Sequence, residues 1–356
     1  MARNRYLPFL LFICAIPLMQ LFTMATGTEY YLTQLTMSAY YGLIVLGLAL
    51  LMGYAGQISM GHAAFFAMGG YTTAILSARD LLPWQANKAI SFLTTLGLTS
   101  PHTDLYGKPQ LLLSPWVSLC AAVLVAAATA YVIGIPVLKL KGHYLAMATL
   151  GFGTIIYRLF LGSAICGSAD GITNVPPFKI IGNFVVTCNP AFRVENYYIA
   201  WALVALGMIL LLNLMETRVG RSLKAIHGNE EAAQAMGVDT ARTKLMVFVI
   251  SAVYAAAAGV FMTHYNAGIG PSEASIMKSV RYVAMVAAGG MGSLWGTLSL
   301  SVLLNFLSLR GVFGTLDDAV FGLILILIML FAPQGLPGPA VIKAGLANLL
   351  KRKGRV

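Results

Sequence analysis

Apolar and polar positions alternate in long blocks along this chain. Leu7 to Met24, Leu32 to Met52, Pro115 to Leu138, His143 to Leu161, Tyr197 to Met215 and Leu245 to His264 are apolar runs with few interruptions. Each is close to the ~20 residues that a helix needs to cross a ~30 Å hydrocarbon layer. Ala274 to Gly289, Leu298 to Leu309 and Ala319 to Phe331 are shorter runs of the same kind. With the glycine-rich stretch Gly53 to Leu76, the pattern predicts about ten crossings, some short or broken. The fold class is all-α, a polytopic integral membrane protein with one domain over residues 1–356. Arg3 and Arg5 precede the first run, as in a secretory leader. Pro8 and Pro17 interrupt that run and further spans follow it, so it reads as a first membrane helix that is retained.

Two stretches depart from the pattern. Arg218 to Lys244 is a polar, basic island between two apolar spans, and residues 216–244 are read as a loop on the cytoplasmic side. A short helix sits at its centre. Asn229 is a good N-cap, Glu230 and Glu231 lie at the positive end of the helix dipole, and Gly237 offers a left-handed C-cap. Ala232 and Ala233 favour the helix between these ends. So short a helix needs support from its own protein and can also dock on a partner. An ordinary amphipathic loop helix fits the local residues as well.

The second stretch is Gly53 to Leu76, GYAGQISMGHAAFFAMGGYTTAIL. It sets Gln57, Ser59 and His62 among glycines, including Gly53 and Gly61, inside apolar surroundings. Small residues let helices approach closely in lipid. Glycine also permits a break, which at membrane depth survives only when buried in protein or lining a cavity. Both readings stand: a tight turn before a close-packed helix, or part of a gate on a solute path. In the second, Gln57 and Ser59 face the path and His62 supports them. His62 has no second ligand at metal spacing, which favours a hydrogen-bonded structural role. A second glycine cluster, Gly289, Gly290 and Gly292, ends the run that starts at Ala274.

Composition agrees with the blocks: 58% of residues are hydrophobic and 10% charged. A soluble domain carries roughly 25% charged residues. The net charge of +11 comes from short loops and a basic tail at 333–356, which fits a positive-inside bias and not nucleic-acid binding. With a cytoplasmic N-terminus and an even number of crossings, 14 of the 23 Lys and Arg face the cytoplasm and eight face outward. The outer eight include Lys278, Arg281 and Arg310; Arg158 is the main ionisable residue inside a span. Both termini are then cytoplasmic. Arg79 to Ser114 is a polar excursion whose apolar piece, Ala89 to Leu98, is too short to span and fits the interface.

Glu231-Ala232-Ala233, three residues and then Gly237 resemble the EAA loop of ABC-importer permeases. The sharper likeness is GYAGQISMGHAAFFAMGGY, which resembles the signature of the branched-chain amino acid permease family. KLKGHYLAMATLGFG, AAGGMGSLWG and LFAPQGLPG, in that order, resemble its M-type subunit. The likeness covers nearly the whole chain. A proline frequent in EAA loops is missing, and the loop around Pro83 to Pro109 departs from the family.

The resemblance implies a bacterial inner-membrane permease importing Leu, Ile or Val, paired with an H-type permease. Two cytoplasmic ABC ATPases and an external solute-binding protein would complete the system. Arg221, Asn229 to Ala233 and Gly237 would couple it to the ATPase. Relatives that carry urea, amides or other amino acids leave the solute open. No P-loop, catalytic constellation, cofactor motif or metal set is found in the sequence, so ATP hydrolysis falls to partner chains and membrane lipid is the other contact. A stand-alone carrier is the competing class. It would be expected to show ionisable groups inside its spans, which are nearly free of them. Cys166 and Cys188 share the polar loop Gly162 to Asn196; a disulfide and two free thiols both fit.

Overall fold

The computed structural model describes residues 6–80, 82, 94, 99–103, 109–180 and 184–331. The tail at 333–356, and all of Ala89 to Leu98 except Thr94, lie outside the described residues, as do Arg3 and Arg5. Among the described residues, six helical segments are long and apolar enough to cross a membrane, and Leu294–Leu309 is a shorter apolar helix. The molecule is an all-α, multi-pass membrane protein.

α1 (Tyr6–Ala25) carries Pro17 within it and leaves Leu10, Leu11, Leu18, Leu21 and Phe22 exposed, as a lipid-facing helix does. α2 (Tyr30–Ala49) is its opposite: its residues from Ser38 to Ala49 are all buried. A helix apolar on every face belongs in the centre of a bundle. α2 packs there against the later helices and runs on into one π-helical turn, Leu50–Tyr54. The chain then leaves helical geometry until α3 (His62–Ala78). The glycine stretch therefore does break, between Tyr54 and His62.

α3 lies against α9 (Thr240–Asn266) so closely that a side chain at Gly69 would strike the Ala256 backbone. One at Gly259 would strike the Phe66 carbonyl. Here glycine serves backbone contact between helices. α4 (Pro115–Val137) packs on the same pair through Ser118, Ala122, Ala126, Ala130 and Gly134, a buried stripe of small residues one turn apart. α5 (His143–Gly162) and α6 (Arg193–Glu216) follow. α6 starts ahead of its apolar run, because Asn189 caps a 3-10 turn that leads into it.

The polar island holds two helices, α7 (Arg218–Gly228) and α8 (Glu230–Ala235), not one. α9 begins at Thr240, before the apolar run at Leu245, since the Asp239 carboxylate accepts the Arg242 amide at 3.0 Å. α10 (Ile276–Gly289), α11 (Leu294–Leu309) and α12 (Asp317–Phe331) close the described chain. α11 too starts early, with Ser293 accepting the Gly296 amide.

Lys278 and Arg281 are not in an outer loop, as the charge count places them. They lie in α10, where Lys278 pairs with Glu273 at 2.5 Å and Arg281 with Asp317 and Asp318 at 2.9 and 2.7 Å. Pairing lets charge persist beside apolar helices. Arg310 stacks over the Tyr31 ring. The polar loop after α5 is held by two short ladders: Ile172–Thr173 against Gly268–Ile269, and Phe178–Lys179 against Val185–Val186. Within that loop Cys166 and Cys188 are free thiols.

Candidate coupling and gating site

Most of the residues singled out in sequence form two clusters, which meet where α7 reaches the helix break. The first is α8. The Asn229 side chain accepts the Ala232 amide at 3.0 Å. Gly237 has φ +83°, and the amides of Val238 and Gly237 donate to the carbonyls of Ala233 and Gln234 at 3.1 and 3.0 Å. That pair of bonds is a Schellman cap, which closes the helix after two turns. Ala233 alone in α8 is buried. Glu231, Ala232, Gln234 and Ala235 face outward, and Met236 is 85% exposed.

Two lysines reach α8. Lys244 of α9 is buried and meets Glu230 at 2.5 Å. Lys141, from the turn between α4 and α5, reaches Glu231 at 3.8 Å, with both side chains mostly in solvent. The first is a firm anchor; the second contributes little.

α7 precedes α8 and is strongly amphipathic. Gly220, Leu223 and Ile226 are buried, while Arg218, Arg221 and Lys224 are exposed. Arg221 donates to the Glu216 carbonyl at the end of α6, at 3.3 Å. It is therefore set apart from α8, at the entrance to the loop. At the far end of α7, the His227 ring lies against Gly56 in the helix break.

The second cluster is that break. Gly56 takes φ +66°. Gln57 and Ser59 are buried. Ser59 Oγ and His62 Nδ1 share a hydrogen bond of 3.1 Å, and His62 Nε2 and Ser251 Oγ one of 2.6 Å. His62 thus ties the break to α9. The Met60 amide donates to Thr149 Oγ1 at 3.0 Å, and Gly61 lies against the Thr149 carbonyl, which ties the break to α5. The Ala63 amide donates to Ser279 of α10 at 3.3 Å.

The two glycine clusters meet here. A side chain at Gly53 would run into the Met291 carbonyl, and the Tyr54 hydroxyl donates to the Gly292 carbonyl at 3.2 Å. Gly289 packs on Thr297, and Gly290, with φ +90°, turns the chain between α10 and α11. Gly292 itself has open space around it. Ser59 is buried and shares its hydrogen bond with His62. The Gln57 Oε1 is buried without a hydrogen-bond partner.

Sequence reasoning missed His227, Lys244, Lys141, Thr149 and Ser251 as members of these clusters. The lysines stood out only as topology charges. A lone histidine on a basic helix, or a lone serine or threonine in a span, carries no mark of its partner.

A bundle of this length and apolarity defines a multi-pass membrane protein, and its capped, solvent-exposed α8 has the EAA spacing. Residues 30–331 match the family described as branched-chain amino acid transport system / permease component. The chain belongs to that family of ABC transporter permeases, and within it to the M type. The high-affinity branched-chain amino acid transport system permease protein LivM of Salmonella typhimurium is 30% identical over 321 residues, covering 85% of this chain and 68% of the relative. LivM of Escherichia coli K12 matches to the same extent. BraD of Pseudomonas aeruginosa, of the same description, is 26% identical over 324 residues, 87% of this chain and 96% of the relative. No solved structure matches the chain.

Proposed function

We propose that this chain is the M-type permease subunit of an ATP-driven importer for leucine, isoleucine and valine. It works beside an H-type permease, with two cytoplasmic ABC ATPases and an external solute-binding protein. It lies in a bacterial inner membrane with both termini inside, residues 216–244 as coupling loop and 333–356 as a basic cytoplasmic tail. The substrate class follows the names of the LivM and BraD relatives.

The observation that carries the reading is α8 itself. It is capped at both ends, anchored by Lys244, buried only at Ala233, and offers Met236 and Glu231 outward. ATPase closure would move α8, and α7 would pass the motion through His227 to Gly56. The break touches α5, α9, α10 and the 289–292 turn, so one displacement reaches every helix around it. Gln57 would be uncovered as the break opens. A neutral amide suits a zwitterion, which a fixed charge would hold too tightly.

The test is uptake of labelled leucine into proteoliposomes holding the complete complex. Uptake that needs both internal ATP and the binding protein supports the reading. Uptake by this chain alone, driven by an ion gradient, would make it a secondary carrier.

A further inference from the structure

A cavity of about 530 Å³ opens between α4, the turn that follows it, α8 and the start of α9. It is amphipathic along its length. One wall is apolar: Tyr131 and Ile135 lie one turn apart on α4, with Leu138 just past its end, and Tyr131 and Ile135 are 54% and 45% exposed. Behind them Gly134 lets α4 rest on Leu245 of α9, which closes the floor. The other end is cationic, with Lys139, Lys141, Arg242 and Lys244 on its rim.

The charges do not cancel. Lys244 is committed to Glu230 at 2.5 Å. Lys141 has only the loose, solvent-exposed contact with Glu231 at 3.8 Å. Lys139 and Arg242 have no carboxylate partner among the described residues, and both are exposed. Three cations therefore converge where a membrane helix ends, directly below an apolar groove that belongs to the span.

We infer that this cavity is a binding site for an anionic phospholipid. One acyl chain lies along Tyr131 and Ile135, and the phosphate is held among Lys139, Lys141 and Arg242. Basic pockets between membrane helices at the headgroup level recognise such lipids, and tyrosine is at home at that depth. A soluble anion would leave the apolar wall uncovered. A water-soluble protein partner would not reach the part of α4 that lies within the span. The phosphate would displace Glu231 from Lys141, so a bound lipid leaves Glu231 free on the outer face of α8.

The site is tested on the full chain purified with its partner subunits, stripped of loosely bound lipid, by native mass spectrometry and thermal unfolding. The probes are phosphatidylglycerol, phosphatidylcholine and inorganic phosphate. Phosphatidylglycerol should stay bound and raise the unfolding temperature, and phosphatidylcholine should do neither. Lys139→Gln, Lys141→Gln and Arg242→Gln together should weaken its retention by about tenfold or more, as expected when three headgroup cations each contribute severalfold. The charge-keeping set Lys139→Arg, Lys141→Arg and Arg242→Lys should retain it, which separates lost binding from lost folding. Three results would overturn the inference. One is equal retention by the neutral triple variant. Another is an equal loss when Arg218→Gln and Lys224→Gln remove charge from α7 instead. The third is an inorganic phosphate effect as large as that of the lipid, which would make this a soluble-anion site.

Discussion

His227 of α7 and Gly56 of the helix break are in contact: a Cβ at position 56 would stand 3.2 Å from the imidazole Nδ1. Gly56 has φ +66°, a conformation that costs an L side chain roughly 1–2 kcal/mol. Gly56→Ala therefore meets two obstacles, backbone strain and the ring of His227. It should lower solute uptake and transport-linked ATP hydrolysis together in proteoliposomes. His227→Ala should lower both as well, but should leave thermal stability within about 0.5 kcal/mol, because the ring is exposed. Unchanged coupling in His227→Ala would mean that α7 does not act through this contact.

Gly53 and Gly292 belong to the same meeting of glycine clusters but differ in room. A methyl at Gly53 would overlap the Met291 carbonyl, whereas Gly292 has nothing within 4 Å. Gly53→Ala should destabilise the purified protein by about 1–3 kcal/mol, the usual cost of overpacking. Gly292→Ala should be close to neutral. Fluorescence-monitored unfolding of both variants decides the point; equal effects would mean that the two backbones are not in contact.

The two lysines under α8 should differ in the same way. Lys244 is buried and paired with Glu230, so Lys244→Met strands a carboxylate and should cost about 1–3 kcal/mol. Lys141 and Glu231 are largely solvated, and Lys141→Met should change stability by less than about 1 kcal/mol. A larger effect at Lys141 than at Lys244 would contradict the assigned anchor.

The spans were legible in sequence because lipid leaves the backbone no hydrogen-bond partner but itself, and bilayer thickness fixes the length of the apolar run. The caps of α8 were legible for a local reason: Asn229 and Gly237 act on amides and carbonyls within a few residues of themselves. Helix starts were less so. Asp239 and Ser293 begin α9 and α11 ahead of the apolar runs read from Leu245 and Leu298, since a cap needs no long hydrophobic run beside it. The division of the island into α7 and α8 was hidden, because both helices are polar on their outer face. Contacts between distant residues left no trace. Nothing about His227 points to Gly56, nothing about Ser251 to His62, and the same lysine reads identically whether it faces water or Glu230. Lys278 and Arg281 were misplaced in a loop because charge alone suggests water, while their carboxylate partners are Glu273 in the turn before α10 and Asp317 and Asp318 at the start of α12.

The central claim is that α8 is the element that seats on an ATPase. It is tested by Met236→Cys in a chain whose four native cysteines are replaced, assembled with its co-expressed ATPase and treated with a short thiol-reactive cross-linker. Met236 is the most open apolar side chain of the loop. The account predicts a cross-linked product between this chain and the ATPase subunit, lost when Gly237→Pro removes the left-handed cap that sets the end of α8. An intact, transport-competent complex in which position 236 never reaches the ATPase would contradict it.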